Sequence, residues 1–220
     1  MLLILTPLLL FPMRYISFVP ALCADIFHII CKYVMGLDYK ILGQENIANK
    51  PCIYAIKHES AWDTMIFPRI ISFPAIVTKR ELIFFPILGL YIRRFKAILI
   101  NRKKKHNIIG SFIAQANERL HEGRPVIIFP EGTRVNHGDS PALQSGVWLL
   151  YARLKYPVIP VTLDSGRYWG RRAIIKKPGC ISVIFQDPIQ PGMTKESFLA
   201  TLHSAINAQN SPLTARKKYE

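Results

Sequence analysis

Short, nearly continuous apolar runs, each followed by a polar loop and then a helical pattern, constrain this chain more than any other feature. The runs at 52–56, 75–78, 97–100, 126–129, 158–163 and 181–185 are rich in Ile, Val and Phe. Four to six apolar residues without strict alternation suit strands buried on both faces. Helical patterns separate them at 61–71, at 80–94 with a break near Pro86, at 106–121 and at 143–154. The segment 106–121 is the clearest, with Ile109, Phe112, Ile113, Ala116 and Leu120 on one face and Gly123 ending it. A further strand at 39–42 precedes a turn at 44–51, and Phe198, Leu202 and Ile206 mark a last helix. Strand, loop and helix in repetition predict an α/β fold: a mixed, largely parallel sheet covered by helices.

The 220 residues are half apolar, enough for one substantial core, and no Gly/Ser- or Pro-rich linker divides them. A formal charge of +15 calls for an anionic partner, which nucleic acid, a membrane surface or a phosphorylated substrate would satisfy. Cys23, Cys31, Cys52 and Cys180 lie in apolar surroundings without metal-ligand spacing. They read as reduced core residues, and neither a metal site nor a disulfide framework is expected.

Ahead of the α/β region stands an apolar segment. Residues 2–12 are too short to cross a bilayer, which takes roughly twenty residues. Residues 15–35 are long enough but carry Asp25, His28, Lys32 and Pro20. An aspartate at mid-bilayer costs about 2.5–3.5 kcal/mol, so helices docked on one leaflet fit better than a span. A secretory signal lacks its charged n-region and a cleavage site here, and plain packing on the core is the remaining alternative. The expected organisation is membrane-associating helices over 1–37, a catalytic domain over 38–208 and a basic tail over 209–220.

Two loops carry chemistry. After the strand at 52–56 comes Lys57-His58-Glu59-Ser60-Ala61-Trp62-Asp63. Across a strand-to-helix turn, His58 and Asp63 can meet as a general base and the carboxylate that orients it. Ser60 and Asp63 also have the spacing of a capping box, in which Asp63 only starts a helix. After the strand at 126–129 comes Phe129-Pro130-Glu131-Gly132-Thr133-Arg134, an acid, a glycine, a hydroxyl and an arginine able to hold a phosphate or polyol. Ordinary turn chemistry is the plain alternative. His58, Arg102 and Glu131 each follow a strand end, so parallel strands would turn all three toward one crevice.

Asn101-Arg102-Lys103-Lys104-Lys105 precedes the helix at 106–121. Cations at a helix N-terminus oppose its dipole unless an anion shares the site, which favours phosphate binding. Lys79 and Arg80, with Arg93, Arg94 and Lys96, are less specific. Arg167, Arg171, Arg172, Lys176 and Lys177 interleave with Tyr168 and Trp169, a composition suited to an anionic interface. It would also allow nucleic-acid stacking, but no nucleic-acid motif accompanies it. The segment Gly138-Asp139-Ser140-Pro141-Ala142 has no strand before it and a proline after the serine, which rejects a nucleophile elbow. His28, His106, His121, His137 and His203 have no evident partner in the sequence and read as structural or surface residues.

The two loops together, in this order, resemble the glycerolipid acyltransferases typified by 1-acylglycerol-3-phosphate acyltransferase, whose signatures are HxxxxD and FPEGTR. The resemblance covers about residues 37–185. It rests on His58 to Asp63, Gly89 to Arg102, Phe129 to Arg134 and Val158-Ile159-Pro160-Val161. It implies transfer of an acyl group from acyl-CoA or acyl carrier protein to the sn-2 hydroxyl of lysophosphatidic acid, giving phosphatidic acid for phospholipid biosynthesis. His58 and Asp63 would be catalytic. Arg102, Glu131, Gly132, Thr133 and Arg134 would bind the acceptor, and Pro160 belongs to the block associated with the acyl donor. No cofactor, metal or nucleic acid is implied, and the expected location is membrane-associated, with the active site on the cytoplasmic side. Another lysolipid or glycerol 3-phosphate as acceptor, or a non-catalytic basic module on membrane lipids, are the alternatives. One departure bears on the acceptor: many members carry Lys or Arg two residues before a glycine downstream of FPEGTR, where this chain has Gln144-Ser145-Gly146.

Overall fold

The structure, a computed structural model, describes residues 2–100 and 108–208. Three short helical pieces, α1 (Leu2–Leu5), a 3-10 turn (Thr6–Leu10) and α2 (Met13–Ile16), lead into the long helix α3 (Val19–Met35). Gly36 then ends α3 in the left-handed conformation. The α/β region follows as β1 (Leu37–Leu42), β2 (Ile53–Ile56), α4 (Ala61–Ile70), β3 (Ala75–Lys79), α5 (Pro86–Arg94) and β4 (Ile98–Ile100). It continues through α6 (Ile108–His121), β5 (Val126–Ile128), α7 (Ser145–Leu154), β6 (Val158–Leu163), β7 (Gly179–Phe185) and α8 (Lys195–Ile206).

Seven strands form one sheet in the order β1-β7-β6-β2-β5-β3-β4. Every neighbouring pair is parallel except β6 and β7. β2 is central, its Ile53 facing Val126 of β5 on one side and Val158 of β6 on the other. Alternate residues of β2 serve opposite layers, which is why the strand is apolar throughout. Ile53 and Ala55 pack with Phe112, Ala116 and Leu120 of α6, Val147 and Leu150 of α7, and Phe198 and Leu202 of α8. Tyr54 and Ile56 pack with Trp62, Ile66 and Phe67 of α4 and with Cys31 of α3. Each such aliphatic or aromatic side chain, once fully buried, contributes about 1.5–3 kcal/mol.

Three expectations change. The 80–94 segment is a 3-10 turn (Arg80–Phe84), an extended Phe85 and then α5, because Pro86 disfavours helical geometry at the residue before it. Gly89 lets the two pieces fold together, since a Cβ there would come 2.1 Å from the Ile83 carbonyl oxygen. On α6, Ile109 is exposed while Phe112, Ala116 and Leu120 are buried. Cys23, Cys31 and Cys52 are buried as expected, but Cys180 is exposed, on the strand β7 that pairs with the edge strand β1.

Residues Met13–Met35 are long and apolar enough to cross a membrane. Asp25 and Lys32 within them, however, are engaged by the α/β body. Arg69 of α4 forms an ion pair with Asp25 and donates to the Tyr39 hydroxyl at 2.9 Å. Lys32 pairs with Asp38 at 2.8 Å. Arg94 of α5 donates to the carbonyls of Leu9 and Phe11. Ile16, Val19 and Cys23 form a small core of their own with Tyr91 and Phe95. The helix therefore lies along the domain with Ile29, Ile30, Tyr33 and Val34 exposed on its outer face.

Candidate active site

β2 and β5 are parallel neighbours, so the loops leaving their C-terminal ends emerge side by side. The first carries His58 and the second Glu131. The backbone N–H of His58 donates to Glu131 Oε1 at 3.3 Å, and that of Val135 donates to the His58 carbonyl at 2.8 Å. The two motifs are thus tied together through the backbone of His58.

Both readings of Asp63 hold at once. Ser60 caps α4, its Oγ accepting from the Trp62 N–H at 3.2 Å, and the reciprocal capping box with Asp63 is complete. The same Asp63 Oδ2 accepts from the N–H groups of Glu59 and Ser60, at 2.8 and 2.7 Å, and lies 3.0 Å from His58 Nδ1. A carboxylate oxygen that already accepts two N–H bonds requires the proton on Nδ1. That leaves the Nε2 lone pair free to take a proton, and among the described residues Nε2 has no hydrogen-bond partner. Asp63 is fully enclosed, whereas the His58 side chain keeps 15% of its surface exposed. Phe129 stacks on the imidazole with ring centroids 4.1 Å apart, restraining it from the other side. The result is a base held at Nδ1 by Asp63 and on a ring face by Phe129.

Glu131 is almost fully enclosed. It is 5% exposed, and burial pushes its carboxyl up to about 7, the backbone N–H groups of Glu131 and His58 pulling the other way. Its Oε2 is buried without a hydrogen-bond partner among the described residues. Its visible task is to position the His58 loop. Gly132, at φ 72°, makes the left-handed turn that a side chain would strain, and Thr133 beyond it is exposed. Arg134 is half-buried between two residues bonded to the His58 backbone, and makes no hydrogen bond or ion pair among the described residues. Arg102 lies outside the described residues. Pro160 is buried within β6, facing Ala55 of β2, and its carbonyl accepts from the Gln186 N–H at 2.9 Å. It lies in the sheet rather than on the site surface. Gln144 stands at the N-cap position of α7 without a side-chain cap bond, and its N–H donates to the Pro130 carbonyl at 2.8 Å.

A second charged cluster, buried at Lys57 and Glu59 and reaching the surface at His137, adjoins the site, and the linear sequence did not reveal it. Glu59, fully buried, receives the Gly166 N–H at 3.0 Å and sits 3.2 Å from His137 Nδ1. Lys57 Nζ lies 3.6 Å from its Oε1 and donates to the Asp139 carbonyl and to Asn207 Oδ1, at 3.2 and 2.6 Å. Burial raises the Glu59 carboxyl, while Gly166, His137 and Lys57 oppose the shift. A Cβ on Gly166 would approach Glu59 to 2.9 Å, so glycine is needed for this closure. His137, exposed at the surface and paired with Glu59, is a structural residue of this cluster. The only signal in the sequence was two charges flanking His58, Lys57 and Glu59, in an otherwise apolar strand end.

The sequence profile of the family described as Acyltransferase matches residues 38–164. The chain is 34% identical to the 1-acyl-sn-glycerol-3-phosphate acyltransferase of Pseudomonas aeruginosa, over 87% of this chain and 73% of that one. It is 30% identical to the enzyme of the same name from Saccharomyces cerevisiae, over 79% of this chain and 59% of that one. The human 1-acyl-sn-glycerol-3-phosphate acyltransferase beta is 28% identical over 61% of this chain and 49% of its own length. The chain thus spans about three fifths and about half of these two eukaryotic relatives. Among solved structures, the 1-acyl-sn-glycerophosphate (LPA) acyltransferase of Thermotoga maritima superposes with a TM-score of 0.74 at 20% identity, covering 92% of this chain and 81% of that one. That likeness establishes the shared fold.

Proposed function

We propose that this chain, which belongs to the acyltransferase family typified by 1-acylglycerol-3-phosphate acyltransferase, acylates the sn-2 hydroxyl of lysophosphatidic acid from acyl-CoA or acyl carrier protein. The observation that carries the reading is the His58–Asp63 pair, with Nδ1 committed to the carboxylate and Nε2 without a partner among the described residues. Nε2 removes the acceptor hydroxyl proton as the oxygen attacks the thioester carbonyl. Asp63 stabilises the imidazolium so formed, and the C–S bond then breaks, the thiolate taking the proton from Nε2. General-base assistance of this kind contributes about 10²–10⁴-fold. A thioester is already activated, so the step needs no cofactor beyond the acyl donor.

Arg134, unpaired among the described residues, supplies a cation for the acceptor phosphate, with Arg102 assigned the same task from the family motif. Gly132 and Thr133 line the approach, Glu131 holds the base in place, and Pro160 contributes to the donor side through the strand it stiffens. The product, phosphatidic acid, feeds phospholipid synthesis. Residues 1–37 hold the domain on the membrane through the exposed apolar side chains of α3, with the site on the cytoplasmic face, where anionic headgroups meet a +15 chain.

Thiol release from acyl-CoA, and separately from acyl carrier protein, by the membrane-reconstituted protein tests the reaction. Release with lysophosphatidic acid that disappears in His58→Ala supports it. Release with glycerol 3-phosphate or another lysolipid alone would reassign the acceptor, the outcome the Gln144 departure makes worth testing. No release with any acceptor would overturn the reading.

A further inference from the structure

The loop between β6 and β7 carries the most exposed aliphatic pair of the α/β body. Ile174 and Ile175 are 90% and 82% exposed. They do not belong to a disordered tether. The loop opens with a 3-10 turn (Ser165–Arg167), and the Trp169 N–H donates to the Ser165 carbonyl at 2.8 Å. Lys177 N–H then closes its base on the Tyr168 carbonyl at 2.8 Å. Near the tip, Ala173 N–H donates to the Gly170 carbonyl, and Lys176 Nζ caps the Ile174 carbonyl at 2.8 Å. The two isoleucines thus stand on a built projection flanked by Arg171 and Arg172 on one side and Lys176 and Lys177 on the other.

The projection is joined to the N-terminal helix. Trp169 packs against Phe27 of α3 with ring centroids 6.1 Å apart, and the Gly179 N–H donates to the Gly36 carbonyl at 2.9 Å. Tyr33 and Val34, on the last turn of α3, are each 78% exposed. An apolar tip flanked in sequence by four cations, an aromatic at its base and an apolar helix beside it match a bilayer in charge and in polarity. Isoleucine enters the acyl region while Arg and Lys remain among phosphates. The geometry points to residues 167–178 as a second membrane anchor, which inserts Ile174 and Ile175 into anionic bilayers beside α3. This rests on the membrane-associated reading above and deepens it: the domain is held at two points, and its orientation on the lipid surface is set.

Cys180 is exposed and the other described cysteines are buried, so a Cys180→Ser, Ile174→Cys full-length protein accepts an environment-sensitive fluorophore at the tip. On vesicles rich in phosphatidylglycerol the probe is expected to shift to the blue and to be quenched by lipids carrying spin labels on their acyl chains. On pure phosphatidylcholine the protein co-sediments through its N-terminal helices but the probe keeps its aqueous emission. Arg171→Gln with Lys177→Gln should weaken the probe's insertion on phosphatidylglycerol by about tenfold. An aqueous probe on phosphatidylglycerol vesicles that carry the protein overturns the anchor and leaves the membrane reading standing. Failure to co-sediment with either vesicle overturns both, and equal insertion into both lipids overturns the anionic specificity. Thiol release in detergent, with and without His58→Ala, reports on the acyltransferase reading separately.

Discussion

Two histidine–carboxylate pairs stand in neighbouring loops with nearly equal spacing, His58–Asp63 at 3.0 Å and His137–Glu59 at 3.2 Å. Their surroundings separate them. Among the described residues Asp63 receives only N–H groups, so its charge acts on the imidazole, and His58 keeps a nitrogen without a partner. Glu59 is shared among His137, Gly166 N–H and the Lys57 ammonium, which neutralises it in place. One arrangement is a base with an orienter. The other is a clasp joining the His58 loop, the 131–144 loop and the β6–β7 loop. A histidine beside a carboxylate is therefore a question about what else the carboxylate holds.

The sharpest test of the contrast exchanges each histidine in turn. His58→Ala should lower turnover by about 10³-fold or more while the protein still folds, with a thermal midpoint lowered by a few degrees because a mostly buried ring stacked on Phe129 is removed. His137→Ala should retain activity within about threefold and lose about 1 kcal/mol of stability in denaturant titration. Equal losses of turnover would break the distinction.

Asp63→Asn comes next. It keeps an acceptor for the capping box but removes the charge that stabilises the imidazolium, so kcat should fall by about 10²–10⁴-fold while helix content in circular dichroism is preserved. A matching drop in helix content would mean that Asp63 is chiefly a cap.

Glu59→Gln leaves the Lys57 ammonium 2% exposed without its countercharge. Removing one partner of a buried ion pair costs about 3 kcal/mol, read as a lowered urea midpoint. Activity per folded molecule should drop less than tenfold. A change confined to KM would place the effect on the acceptor loop that the clasp restrains.

The effect that leaves activity at fixed pH least touched concerns Glu131, whose carboxyl is raised to about 7 by burial. The folded protein holds that proton more tightly than the unfolded chain, whose value is near 4.5. Stability from this group is complete below about 4.5 and is lost as pH rises through about 7, by roughly 3 kcal/mol across the window. Glu131→Gln should flatten that part of the stability curve, measured by denaturant titration at a series of pH values.

Local patterns carried most of the fold. The strands at 158–163 and 126–129 were visible as apolar runs because a parallel strand buried on both faces cannot alternate. The start of α4 was visible because Ser60 and Asp63 cap it through contacts within four residues. His58 and Asp63 were legible for the same reason, as was Glu131 once its strand was recognised. The Glu59–His137 clasp was not, because its partners are 78 residues apart and nothing local distinguishes His137 from a loop histidine. The burial of Pro160 and the exposure of Cys180 depend equally on which strands become neighbours. Asp25 looked costly in an apolar helix until the fold brought Arg69 to it.

The sequence by itself determined the strand-loop-helix order, the base with its orienting acid, and an amphipathic, strongly basic character. Those properties are written in spacing and composition, which act over a turn of helix or a few residues of strand. The tertiary structure alone decided that β2 and β5 are neighbours, that the N-terminal helix lies on the domain, and that Glu59 serves the scaffold. Each depends on contacts between distant segments, and strand order is set by how whole layers bury their faces rather than by any short stretch of chain.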